Sequence, residues 1–157
     1  MKKILIILIY FITIFTFSSI ASSKIVLLSL SNMVKKSEMI AIGKVVKVEE
    51  TNEKHGEFPF SKVIIKVEKM LKGNQNTKSI DVYFFPTIED EPIFLLNGRA
   101  IFFIHKYQNK NRLVQGHAGK VDIENDDAIN IYMLDQKRNQ KIDGFVHKIE
   151  EILIKDK

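Results

Sequence analysis

His55, His105, His117 and His147 are the only imidazoles in a chain that has no cysteine. Metal binding or general acid–base chemistry would therefore run through them and the carboxylates. None of the four stands at i, i+4 from another histidine, and neither His-Glu-x-x-His nor His-x-His occurs. His105, at the end of a strand, and His117 could meet in space as a metal or acid–base pair, but the expectation is structural or surface histidines. Asp122 to Asp127 opens like a calcium loop. With Asp122 first, however, Asp127 takes the place that needs glycine, and Met133 takes that of the closing glutamate. It reads as an acidic loop. Glu89-Asp90-Glu91 sets carboxylates side by side in a loop flanked by Pro92, with nothing to push their pKa values apart. No serine lies in Gly-x-Ser-x-Gly, and no glycine-rich phosphate loop is present. The expectation is a protein that is not an enzyme, with no catalytic residue, cofactor or metal.

Aromatic residues are the other candidates. Tyr83, Phe84, Phe85, Phe102 and Phe103 supply rings of the kind on which single-stranded nucleic acid stacks, but Phe84 and Phe102 share the parity of core positions. The basic balance adds little to that reading. Lys2 and Lys3 belong to an N-terminal targeting pattern, and without them the formal net charge falls from +5 to +3. Of the 24 basic residues only Arg99, Arg112 and Arg138 are arginine, the residue whose fork suits phosphate. Scattered lysines solvate a surface, so no nucleic-acid partner is expected. Phe58-Pro59-Phe60 differs, because it places two rings at the mouth of a predicted hairpin. Phe58 and Phe60 are the candidate binding residues, as a recognition tip or as packing against one end of the fold.

The N-terminal segment sets the expected location. Lys2 and Lys3 precede the uncharged run Ile4 to Phe17, and Ser19-Ile20-Ala21 has the small-x-small form of a signal-peptidase site. At ~1.5 Å per residue the run reaches roughly 21 Å as a helix, short of the ~30 Å hydrocarbon core. The reading is a signal peptide over 1–21, cleaved near Ala21, and a single domain over 22–157 in the periplasm or medium. No stable membrane insertion is expected after cleavage. Without cysteine the exported domain cannot use disulfides.

The elements that would position these residues follow from periodicity. Leu27, Leu30, Met33 and Val34 fit a short helix between Lys24 and Glu38. Met39 to Glu50 reads as a strand with Ile40, Ile42, Val46 and Val48 on one face and a bulge or bend at Gly43. Thr51 to Pro59 reads as a loop, Phe60 to Leu71 and Ser79 to Phe85 as strands, and Pro86 to Gly98 as irregular. Arg99 to Lys106 is apolar on both faces and should be buried on both sides. Short strands are expected over Arg112 to Gln115, Lys120 to Ile123 and Ala128 to Leu134. A final helix, 143–155, would be capped by Asp143, with Phe145, Ile149, Ile152 and Leu153 as its apolar stripe. The stripe suits packing on the strands or on a partner. The fold class is all-β: five or six strands, curved into a closed or nearly closed barrel that removes exposed edges, between two helices.

Read in order, the chain resembles a group of secreted bacterial proteins. Met33 to Val45 is similar to their "LVxxSDxIVxGxV" opening, and Val63 to Gly73 to a strand ending in Leu-Lys-Gly. Pro92 to Ile104 resembles an apolar pair before a glycine and a hydrophobic strand, and Gly116 to Val121 a late glycine turn. These signatures are also similar to the N-terminal domain of tissue inhibitors of metalloproteinases and to netrin-like modules. The resemblance implies an OB-like (TIMP/netrin-like) barrel. Two departures stand out. Gly98-Arg99 replaces the group's Gly-Glu, and the expected mature start, Ser22-Ser23-Lys24, lacks the cysteine through which the metalloproteinase inhibitors reach zinc. The expected function is an exported, non-enzymatic interaction module that docks an unknown protein partner through loops at the barrel end. The alternative is an oligosaccharide or cell-wall ligand held on the barrel face.

Overall fold

The computed structural model of the chain describes residues 28–87, 91–129, 132–133 and 135–156. The expected signal peptide, the start of the first predicted helix, Glu89, Asp90 and Leu134 lie outside the described residues. Helix α1 (Leu30–Lys36) opens at Ser29, whose Oγ accepts from Asn32 N at 3.3 Å, and closes with Lys35 and Lys36 against its negative end. Strands β1 (Met39–His55), β2 (Phe58–Lys72), β3 (Ser79–Phe84), β4 (Arg99–Tyr107), β5 (Lys110–Leu113), β6 (Lys120–Glu124), β7 (Asp127–Ile129) and β8 (Asn139–Lys141) follow, and helix α2 (Ile142–Lys155) ends the described chain. All pairs are antiparallel, in the order β3-β2-β1-β4-β6-β7-β8, with β5 paired to β4.

The fold is thus mostly β with two helices, but the sheet has eight strands and is not closed. Instead of a backbone ladder, one side-chain bond links β5 to β3: Asn111 Nδ2 donates to Asp81 O at 3.0 Å. Two stretches read as loops are hairpins. Thr51 to Pro59 continues β1 and β2 to a two-residue turn at Gly56-Glu57, where Gly56 takes the left-handed φ of 61° that its missing Cβ permits. The acidic segment after Asp122 is β6, a turn at Asn125-Asp126 with both residues left-handed, and β7.

Strand β4 divides two apolar clusters. Ile101 and Phe103 pack with Leu30, Met33, Phe145 and Ile149 on the helix side, while Ala100, Phe102 and Ile104 pack with Val63, Ile65 and Val82 on the other. Each fully buried ring contributes ~1.5–3 kcal/mol by its removal from water. Strand β1 changes partner faces along its length. Ile40 and Ile42 join the helix-side cluster as expected; the register shift at Gly43 has its extra residue, Glu68, in β2, and the alternation of β1 is broken by its own extra residue, Val46. Val46 has no opposite residue, Val48 comes opposite Val63, and both Val46 and Val48 are exposed.

Helix α2 packs on the sheet: Phe145, Val146 and Ile149 are buried in the helix-side cluster, with Ile152 and Leu153 against it. Its cap is Lys141 rather than the expected Asp143, which sits in the first turn, where its charge suits the positive helix end. Helix α1 is tied to the loop before β8 by Leu30 N donating to Asp135 Oδ1 at 2.9 Å, and to the C-terminal end of α2 by an ion pair between Lys35 and Asp156. Among the described residues no helix is long and apolar enough to cross a membrane.

Candidate functional site

The β1–β2 hairpin extends beyond the body of the sheet because β3 pairs with β2 only from Ser61 to Lys66 and β4 pairs with β1 only as far as Lys44. Thr51 stiffens its stem, with Oγ1 donating to Phe60 O at 2.8 Å and accepting from Glu53 N at 3.2 Å. Phe58 and Phe60, two residues apart on β2, then part in role. Phe60 is 4% exposed and Phe58 50% exposed.

Phe85, just past the end of β3, joins them. Its ring stacks on Phe60 at 4.4 Å and 23°, meets Phe58 edge-on at 6.3 Å, and lies 6.3 Å from His55. Tyr83 meets Phe60 edge-on at 6.1 Å. Two cations from β5 lie over these rings: Lys110 Nζ at 4.6 Å from the Tyr83 centroid, and Arg112 Cζ at 4.5 Å from that of Phe85 and 5.9 Å from that of Tyr107. Each is neutralised in turn, Lys110 by Glu53 and Arg112 by Glu91. Phe60, Tyr83 and Phe85 thus each have a face occupied. Phe58 and Tyr107 keep open surface.

Burial raises the Glu91 carboxyl above its ordinary pKa although Arg112 and a hydrogen bond with the Phe85 backbone pull the other way. Burial, reinforced by the positive charge of Arg112, lowers the His105 imidazole. On the outer face of the hairpin stem, hydrogen bonds from Lys47 and Lys62 hold Glu49 down to about 2, and Glu49 and Asp81 raise Lys62.

The histidines do not form one centre. His105 faces Arg112 across the β4–β5 ladder, His117 stacks on Tyr132 at 5.4 Å, His147 pairs with Glu151 on α2, and His55 belongs to the hairpin tip. No group of three or more metal-ligating side chains converges among the described residues. A cleft of about 590 Å³ beside the start of α2 is lined by Glu68, Lys69, Arg99, Asp126 and Lys141 among others. Its cations are already matched: Arg99 Nε donates to Glu68 Oε2 at 2.6 Å, Lys69 pairs with Glu150 at 2.9 Å, and Lys141 pairs with Asp127 at 2.7 Å. Arg99, which stands where the resemblance expects glutamate, is engaged there.

Sequence reasoning singled out Phe58 and Phe60 but missed the Lys110, Arg112 and Glu91 that complete the cluster. The available signal was the alternation of Lys110 and Arg112 on a short strand. No protein-family model and no curated protein matches the chain.

Proposed function

We propose that the chain is an exported, non-enzymatic interaction module, with an OB-like arrangement of its first five strands, that docks a protein partner through the tip of the β1–β2 hairpin. Support for the arrangement comes from the order β3-β2-β1-β4-β5, which brings β5 back beside β3. The observation that carries the docking reading is the half-exposed Phe58 ring backed by Phe85, which is itself fixed by Phe60 and Arg112. A ring held in place before contact loses little conformational entropy on binding, the property of an aromatic anchor at a protein interface. Ion-paired cations and neighbouring rings each occupy a face of Phe60, Tyr83 and Phe85, which disfavours a platform for nucleobases or for sugar rings.

The test is cross-linking and affinity capture from native cells expressing the full-length gene with a C-terminal tag, in parallel with Phe58→Ala. The expected result is one enriched envelope or secreted protein, lost in the variant at unchanged thermal stability, and a bait that begins at Ser22. Capture unaffected by the substitution overturns the docking reading. Co-sedimentation with purified envelope polysaccharide, without a protein partner, moves the assignment to the oligosaccharide alternative. A bait that retains Met1 overturns the cleaved export signal.

A further inference from the structure

Beyond Lys44 the side of β1 that β4 covered is left open. Val45 is the last position served there, with Val45 N donating to Gly98 O and Asn97 N to Val45 O, both at 2.9 Å. From Val46 to Glu50 no described strand pairs with that edge, while β2 pairs with the other. Alternate backbone groups along such an edge point outward without a ladder partner.

We propose that a second copy of this chain fills this edge, the two β1 strands pairing antiparallel about a twofold axis at Val48. The side-chain pattern singles out that register. On the inner face, Val82, Val63 and Val48 lie in one cross-strand row, in which Val82 and Val63 are buried and Val48, at the open end, is 43% exposed. The twofold continues the row with Val48 and then Val63 of the second copy, so the exposed valine is covered by its own equivalent.

On the outer face, the same axis sets Lys47 opposite Glu49 of the second copy, and Glu49 opposite its Lys47. Within one chain Glu49 already lies between Lys47 and Lys62, at 2.8 Å from the Lys62 Nζ. The pairing therefore produces two rows related by the axis, each with charges that alternate across three strands, Lys62, Glu49 and then Lys47 of the copy, before Ile64 of the copy on the fourth. Moving the axis by one residue either way puts Glu49 opposite Glu49 or Lys47 opposite Lys47, which is repulsive. Charged residues and a bulge such as Val46 usually protect an edge from pairing. Here the charges are self-complementary in one register and self-repelling in its neighbours, which selects a single partner geometry. The contact is isologous, with the same surface used on both copies. It is independent of the proposed docking through Phe58, which lies beyond the ladder on the other strand of the hairpin.

The experiment is sedimentation equilibrium of the full-length exported protein, of Lys47→Glu, of Glu49→Lys, of an equimolar mixture of these two, and of the double substitution, with thermal unfolding of each. The expected result is a wild-type dimer, weakened about tenfold or more in each single variant by two like-charge contacts. The mixture should restore dimerisation, because only the heterodimer sets opposite charges together at both contacts, and so should the double substitution within one chain. A wild-type chain that remains monomeric at its highest soluble concentration overturns the proposal. So does a dimer indifferent to the single substitutions, or one that neither the mixture nor the double substitution restores. If one variant fails to fold, the double substitution still decides.

Discussion

The rings of Phe60 and Phe85 stack 4.4 Å apart, and this contact joins the hairpin to the residue just past β3. Both side chains are buried, so the stack closes the end of the apolar interior as well as supporting Phe58 above it.

Phe60→Ala should therefore cost about 3–5 kcal/mol, the range for removing a buried aromatic ring. Phe58→Ala, which removes a half-exposed ring, should cost less than about 1 kcal/mol. Urea unfolding of both variants checks the difference. Equal losses would mean that the two phenylalanines do not divide into support and tip.

Glycine substitutions should divide in sign. A Cβ at Gly43 would lie 2.6 Å from Lys66 O and 2.7 Å from Ile65 Cγ2, so Gly43→Ala forces two paired strands apart. The expected loss is about 1–3 kcal/mol. Gly144 has nothing within 4 Å of its would-be Cβ and lies in the first turn of α2. Gly144→Ala should stabilise by about 0.5–1 kcal/mol, chiefly by restricting the unfolded chain. Melting temperatures moving in the same direction would contradict this account.

Acid should weaken the fold through His105. Its folded-state pKa lies below the ordinary 6.5, because burial and Arg112 disfavour the imidazolium. The unfolded chain thus takes up the proton first, and the stability is present above pH 6.5 and lost as the pH falls toward the folded value. His105→Gln should give a flatter stability profile than the wild type below pH 6.5, measured by urea unfolding across that range. A profile as steep as the wild type would assign the acid sensitivity to another group.

Arg112 holds Glu91 in a setting that otherwise disfavours its charge. Arg112→Ala leaves the carboxylate without its cation and uncovers a face of Phe85, for a loss of about 3 kcal/mol at neutral pH. The pH dependence is opposite in sign to that of His105. Glu91 has a raised folded-state pKa, and removing Arg112 raises it further, so its contribution is present below the unfolded value of 4.5 and lost as the pH rises through the folded value. The deficit of the variant relative to the wild type should shrink in acid, and a deficit that grows on acidification would contradict it.

Much of the strand pattern was legible from alternation alone. Val63, Ile65, Ile80, Val82 and Phe84 are buried at the spacing that strands impose, and Ala100 to Ile104 are buried on both faces. Thr51 to Pro59 was not legible as a hairpin, because its charged residues carry no apolar alternation. Its pairing comes from β2 continuing along β1 and from the freedom of Gly56 to take a positive φ. Phe58 and Phe60 were identifiable as a pair of rings, but their alternation could not show that Phe85, Lys110 and Arg112 would surround them. Those partners are remote in the chain and become neighbours only when β3 and β5 approach each other.

By itself the sequence determined which apolar segments are extended, which strand is most deeply buried and which stripe of α2 is apolar, since each depends on the burial preference of residues at a local period. Only the tertiary structure decided that the sheet stays open, that the bulge at Val46 moves Val48 to the Val63 side, and that Glu91 faces Arg112. Those outcomes depend on which strand lies beside which, and in what register. A bulge of one residue reverses every subsequent side chain without leaving a trace in composition.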